Sequence, residues 1–396
     1  MSSRNKFFQA SLLTAGHFFN DFYANYLPGL LPALIPLFGL SITMSGLLVM
    51  VYAMTSSVLQ PVFGYFMDRS NPTWLILLTL PGSAIFIALA GLMPNMHMLF
   101  LCVAIAGLMS AVFHPLATGL LGRVIPEHRK GLAMSLFVGG GNFGGAVSPA
   151  IVIMFLLHGG MSSLIWLALP GILLTFAYYR QGIHQLQLSG VVTNTAAVES
   201  PASPTPWYRS PAIINLNLVM SLRSWMQVAL STLLPLWLAN RGFSPVLAGT
   251  LLTVFLAGGA TGGLLGGWLG DRFGHKRLVL VSMIACLPAL YVFLSSSELT
   301  WFSWVLIVLV GAALQGTLPS SIVWAQGLMP DNAAMASGMM LGLSFGMGGL
   351  GTAITAAAAD IVGLDTAMLW TLLPFFLAIP LVMTVPMARK KVKVTH

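Results

Sequence analysis

The 396 residues predict an all-α membrane protein with twelve transmembrane helices arranged as two pseudo-symmetric six-helix bundles. Three observations carry that expectation: a chain depleted of charge, basic residues confined to one side of the predicted spans, and an internal repeat. Only 7% of the residues are charged and 57% are hydrophobic, with a mean hydropathy of +0.89. A soluble domain devotes about 25% of its residues to Asp, Glu, Lys and Arg because its surface must face water. Most of this surface must therefore face lipid.

A helix needs about 20 predominantly apolar residues to cross the hydrocarbon core. That rule places spans at 8–36, 43–66, 73–93, 97–121, 131–157, 161–180, 211–239, 245–270, 277–296, 300–327, 333–359 and 366–388. The basic start, Met1 to Lys6, leads straight into the first span with no small-residue cleavage site after it. It is read as a retained helix. Pro28, Pro32 and Pro36 are expected to interrupt that span. The stretch 182–210 is polar, contains Ser203-Pro204-Thr205-Pro206, and reads as a cytoplasmic linker between bundles 1–181 and 211–396.

Charge placement sets the orientation. With the N-terminus inside, one face receives Arg4, Lys6, Arg69, Arg123, Arg129, Lys130, Arg180, Arg209, Arg272, Lys276, Arg277, Arg389, Lys390, Lys391 and Lys393. Of the 17 Lys and Arg, only Arg241 lies opposite and only Arg223 falls within a span. So one-sided a distribution places both termini in the cytoplasm and the chain as a multi-pass protein of the inner membrane. The net charge of +8 then faces the anionic cytoplasmic leaflet and not a nucleic acid. Cys102 and Cys286 both sit in apolar runs, so no disulfide framework, metal centre or cofactor is expected. A nucleophile paired with a base, or a His-Glu-x-x-His motif, is missing from the sequence, which argues against an enzyme.

The repeat supports the two-bundle division. Gly64-x-x-x-Asp68-Arg69 recurs as Gly267-x-x-x-Asp271-Arg272 at an offset of about 203, and Gly107, Pro115, Pro126, Gly144 and Gly145 recur as Gly311, Pro319, Pro330, Gly348 and Gly349 about 204 later. Parallel repeats of this kind are used by carriers that expose one site alternately to the two sides.

Polar residues at membrane depth are costly and are functional candidates by default. The first span carries His17, Asn20, Asp21 and Asn25 on one helix face, the fourth Ser110, His114 and Thr118, and the seventh Arg223, Gln227 and Ser231. These stripes are expected to converge on a central chamber. Asp21 is the leading candidate for carrying a coupling proton, with His17 and His114 beside it; the structural alternative makes Asp21 a fixed partner of His17 or Asn25. Arg223, a permanent planar cation, suits a carboxylate, phosphate or phosphonate, or alternatively a standing salt bridge to Asp21. Asn20, Asn25, Gln60, Ser110, Asn142, Gln227 and Gln315 are further substrate-binding candidates, although amides also join helices.

The segment Gly267-Trp-Leu-Gly-Asp271-Arg272-Phe-Gly274-His275-Lys276-Arg277, with its degenerate copy Gly64-Tyr-Phe-Met-Asp68-Arg69, resembles the loop signature of the major facilitator superfamily. Gly16-His17-Phe-Phe-Asn20-Asp21, Ser56 to Tyr65, Phe113-His114-Pro115 and Gly131 to Pro149 resemble its fosmidomycin-resistance group of exporters. The position after His114-Pro115, often acidic in that group, is Leu116 here. Gly139-x-Gly141-x-x-Gly144 followed by Ser148-Pro149 is similar to the fifth-helix motif of proton-driven antiporters. The resemblance implies the major facilitator fold, alternating access, and a gating role for Gly64, Asp68, Arg69, Gly267, Asp271, Arg272, Lys276 and Arg277. It implies a monomeric, proton-coupled antiporter that exports a small anionic or amphipathic compound such as a fosmidomycin-like phosphonate. The alternative is an uptake or exchange carrier for an organic anion or metabolite.

Overall fold

The structure, a computed structural model, describes residues 3–70, 72–125, 130–186, 210–329 and 333–387. Pro126, Arg129, Pro330, linker residues 187–209 and the basic run 389–393 lie outside the described residues, as do the side chains of Arg4, Asp68, Arg69 and Lys130.

A chain in lipid must satisfy every backbone polar group internally, and helices do so. The helices are α1 (Ser3–Ala24), α2 (Tyr26–Phe38), α3 (Ile42–Ala53), α4 (Gln60–Ser70), α5 (Ile76–Leu89), α6 (Met96–Val124), α7 (Lys130–Ser163) and α8 (Leu169–Arg180) in the first half. The second half has α9 (Pro211–Asn240), α10 (Pro245–Phe273), α11 (His275–Ser295), α12 (Trp301–Leu328), α13 (Ala333–Gly338), α14 (Ser344–Val362), α15 (Leu364–Trp370) and α16 (Leu373–Thr384). Two short π-helical turns, Met54–Val58 and Met339–Leu343, join α3 to α4 and α13 to α14, so each pair crosses as one span.

Nine helical stretches among the described residues are long and apolar enough to cross a membrane. One of them, Ala133–Arg180, has 48 residues and reverses at Gly160, whose φ of 65° is readily adopted only by glycine, so it crosses twice. The two spans that fall outside that apolar set, α1–α2 and α9, are the ones carrying Asp21 and Arg223. Together they complete the twelve.

The first span breaks at Asn25 (φ −96°, ψ 8°), one turn before the first proline. The cause is Pro28, which lacks the N–H that would bond the Ala24 carbonyl and crowds it with its ring. Pro32 and Pro36, expected to interrupt the span as well, are carried inside α2.

The repeat is visible in contacts as well as in sequence. A Cβ placed on Gly64 would lie 3.9 Å from Pro115 Cβ, and one on Gly267 would lie 3.9 Å from Pro319 Cβ. Likewise Gly107 faces the Tyr52 carbonyl where Gly311 faces the Phe255 carbonyl, an offset of about 203 on both partners. The halves pack through α3 on α14, α7 on α10 and α2 on α9. Small residues let these backbones approach: Gly46 sits against Ala353 and Ala356, and Gly349 against Met50 and Ala53.

Arg241, the exception to the charge asymmetry, is tied into this scaffold. Its Nη2 lies 2.8 Å from Asp365 Oδ1, its Nη1 donates to the Ser296 carbonyl at 2.8 Å, and its guanidinium stacks 4.1 Å from the Trp237 ring centroid. Trp237 Nε1 donates to the same carboxylate at 2.7 Å.

Candidate functional site

The first-half stripes converge. Asp21 on α1 lies with Oδ2 at 3.4 Å from His17 Nε2 and Oδ1 at 3.7 Å from His114 Nε2 on α6. Asn20 Nδ2 is 3.3 Å from Asp21 Oδ1, 3.0 Å from Ser110 Oγ and 3.1 Å from His114 Nε2. Asn20 and Ser110 are buried, whereas the side chains of Asp21 and His114 keep 21% and 27% of their surface exposed.

Hydrogen counting shows what this cluster lacks. His17 Nδ1 contacts the Phe137 carbonyl at 2.8 Å, and a carbonyl only accepts, so Nδ1 carries a hydrogen. A neutral His17 then presents a bare lone pair at Nε2 to the Asp21 carboxylate. Two acceptors facing each other at 3.4 Å are unfavourable until one of them is protonated. On the other side, Asn20 Nδ2 has two hydrogens for three acceptor positions. With the ring hydrogen of neutral His114 on Nε2, Asn20 needs to serve only two acceptors, and the arrangement is still one hydrogen short, at the His17–Asp21 contact, when Asp21 is ionised.

Helix α7 holds this geometry from behind. A Cβ on Gly141 would stand 2.5 Å from Asp21 Oδ2 and 2.7 Å from His17 Cε1, and one on Gly145 would stand 2.7 Å from Asn25 Nδ2. Gly144 abuts the Phe18 carbonyl, and Ser148 Oγ donates to the Phe22 carbonyl at 2.6 Å. Phe137 stacks on His17 with centroids 4.1 Å apart. The glycines therefore let α7 press against α1 at the carboxylate.

In the second half, Arg223 is fully buried. Its Nε and Nη2 both donate to the Leu314 carbonyl, at 2.8 and 2.6 Å, and Nη2 reaches Gln315 Oε1 at 2.8 Å. Gln227 Nε2 donates to the same oxygen at 2.9 Å. Arg223 Nη1 and Gln227 Oε1 are buried without a hydrogen-bond partner. The standing Asp21–Arg223 salt bridge is not formed: the guanidinium is spent on α12, and Asp21 faces histidines. Arg223 is therefore enclosed within the second half and held against Leu314 and Gln315 of α12, with Gln227 sharing Gln315. Asn142 Nδ2 from α7 and Gln315 Cγ from α12 approach Gly263 from the two halves, within 3.8 and 3.5 Å of a Cβ there.

Two candidates serve the backbone. Gln60 Nε2 donates to the Ser56 carbonyl at 2.8 Å beside the π-helical turn, and Asn25 Nδ2 donates to the Asp21 carbonyl at 3.0 Å at the helix break.

In the loop signature, Gly270 packs on Ser320 and His275. Asp271 is 76% exposed and meets His275 Nε2 at 3.7 Å. Lys276 Nζ caps the end of α16 by donating to the carbonyls of Met383 (2.9 Å) and Val385 (2.7 Å), Arg272 stacks on Trp268 and Phe273, and Arg277 is exposed.

A carboxylate that does accept from the backbone amides of a neighbouring helix is Asp360, at the end of α14. Its oxygens accept from the Ile42 and Thr43 amides at 3.1 and 2.8 Å and from Thr43 Oγ1 at 2.6 Å. Asp360 lies near the C-terminus of its own helix, where the dipole disfavours an anion, but at the N-terminus of α3, where it is favoured. These bonds join the two halves on the face opposite the termini. The one available signal in sequence was an acid closing an Ala-rich helix, Ala356 to Asp360. A separate cavity of about 130 Å³ lies between the halves among Gly29, Pro32, Ile153, Pro235 and Ala248; its lining is apolar and includes none of the ionisable cluster.

Comparison with known proteins follows the same lines. The profile of the Major Facilitator Superfamily matches residues 13–351 and 216–395. The chain is 28% identical over 369 residues to the fosmidomycin resistance protein of Escherichia coli K12, covering 92% of this chain and 89% of that protein. It is 24% identical over 290 residues to the multidrug resistance protein MdtG of Salmonella paratyphi C, covering 70% and 68%. Among solved structures, a bacterial homologue of the human lysosomal transporter Spinster, inward-facing and unoccupied, superposes with a TM-score of 0.79 at 17% identity, covering 97% and 98% of the two chains. At that identity the likeness is one of fold.

Proposed function

Because the chain belongs to the Major Facilitator Superfamily, whose members carry solutes by alternating access, we propose that it is a proton-coupled antiporter exporting a small anionic or amphipathic compound. The observation that carries this reading is the one-hydrogen deficit between Asp21, His17 and His114. When the cluster is open to an acidic side, a proton settles between Asp21 and a histidine and removes the acceptor clash. When it opens to the other side, the proton leaves and the carboxylate seeks a new partner.

The relatives named for fosmidomycin and multidrug resistance support export as the direction. An anionic group on the cargo would find hydrogen-bond donors at Asn142, Gln227 and Gln315, with the positive Arg223 behind them. The termini face the cytoplasm in this reading, supported by the basic residues on that side, and the chain divides at 182–210 into bundles 1–181 and 211–396 and works as a monomer in the inner membrane. The Asp360 contacts then close the face opposite the cytoplasm.

Everted vesicles test the proposal. Energised vesicles should accumulate a fosmidomycin-type phosphonate, and a protonophore should abolish that accumulation. Accumulation at full rate after the proton gradient is dissipated would overturn it.

A further inference from the structure

We propose that His17, Asp21 and His114 also form a binding site for a divalent transition-metal cation such as Zn²⁺ or Co²⁺. The three side chains offer one ligand atom each, all within 4.8 Å of one another. A four-coordinate zinc or cobalt ion with bonds of about 2.0–2.1 Å sets neighbouring ligands about 3.3–3.5 Å apart. Asp21 Oδ2 lies 3.4 Å from His17 Nε2 and Oδ1 lies 3.7 Å from His114 Nε2, close to that spacing. An ion would draw the ligand atoms, which lie within 4.8 Å of one another, together around it.

Orientation agrees with distance. His17 gives its Nδ1 hydrogen to the Phe137 carbonyl, the outer-shell bond that aims Nε2 of a ligating histidine at its metal. The rings of His17 and His114 stand edge to face, at 88° with centroids 5.2 Å apart, and their ligand nitrogens lie within 4.8 Å of each other. Asn20 supplies an independent sign. Its Oδ1 is buried without a partner while its Nδ2 sits beside His114 Nε2 and Asp21 Oδ1. A half-turn of the amide would bring that oxygen beside His114 Nε2 and Asp21 Oδ1, where it could serve as a further oxygen ligand to a cation. Two imidazole nitrogens with one or two oxygens suit zinc, cobalt or nickel and not calcium or magnesium. The inference rests on this geometry and does not depend on proton coupling.

The test is an equilibrium titration of the full-length protein, purified in detergent without a polyhistidine tag. Co²⁺ should bind saturably at one equivalent per chain with visible absorption bands, and Zn²⁺ should bleach them. His114→Gln and Asp21→Asn should each weaken binding by more than the roughly 10–100-fold that loss of an outer-shell partner costs. His158→Ala, an exposed histidine at the far end of α7, should leave it unchanged. Wild-type protein that shows no saturable signal below millimolar Co²⁺ would overturn the proposal whether or not the variants fold. So would wild-type stoichiometry in monodisperse Asp21→Asn and His114→Gln. Metal binding by a protein whose transport ignores the proton gradient would sustain this inference while the transport reading fails.

Discussion

Replacing Asp360 by alanine removes three hydrogen bonds that cross between the halves. Loss of a carboxylate cap costs about 1 kcal/mol, and its charge at a helix N-terminus adds about 0.3–1 kcal/mol. The side chain is exposed, and solvent screening holds the total to about 1–2 kcal/mol. Because Ile42 and Thr43 can bond water once the face opens, that energy favours the closed state alone. Asp360→Ala should therefore raise the population open at that face about 5–30-fold. Ala356, fully buried against Gly46, reports the opening: an Ala356→Cys protein can be labelled from outside intact cells with an impermeant maleimide. Cys102 and Cys286 are buried and contribute little background. The labelling rate should rise by the same 5–30-fold factor, and Thr43→Val, which loses only the hydroxyl bond, should give a smaller rise. An unchanged rate in properly inserted Asp360→Ala protein would refute the assignment of Asp360 as a latch.

Three further outcomes follow from the same geometry. Gly141→Val should place a branched side chain against Asp21 and His17, an overpacking of about 1–3 kcal/mol, and cut transport at least tenfold while expression persists; wild-type flux would show that α7 does not press on the carboxylate. Arg223→Lys should fail to restore what Arg223→Ala loses, because one ammonium cannot span the Leu314 carbonyl and Gln315 as the guanidinium does; detergent melting curves and substrate binding, compared across the two variants, check this. Asp365→Asn should lower the thermal midpoint measurably, since it weakens the shared acceptor of Trp237 and Arg241, bonds worth about 1 kcal/mol at an exposed carboxylate.

Much of the fold is readable before any coordinates because bilayer thickness imposes a length on every apolar run. The expected spans 97–121 and 245–270 correspond to helices Met96–Val124 and Pro245–Phe273. The break at Asn25 shows where local rules need care: a proline acts on the carbonyl four residues earlier, so the interruption precedes Pro28. Periodicity also placed His17, Asn20 and Asp21 on one face and His114 with Ser110 on another. Helix spacing alone cannot say which faces meet, and it left Arg223 free to pair with Asp21. The long guanidinium instead reaches the Leu314 carbonyl. Asp360 escaped notice because an acid at a helix end reads as loop decoration; its role depends on the N-terminus of α3, more than 300 residues earlier in the chain.

Asp21→Asn in reconstituted proteoliposomes addresses the exchangeable proton most directly. The amide can no longer exchange a proton near neutral pH, yet it fills nearly the same space between the two histidines. Flux driven by an imposed proton gradient should fall to background while substrate counterflow, which needs only the conformational cycle, continues. Gradient-driven flux that survives the substitution, or loss of both activities in folded protein, would contradict a coupling role for the cluster.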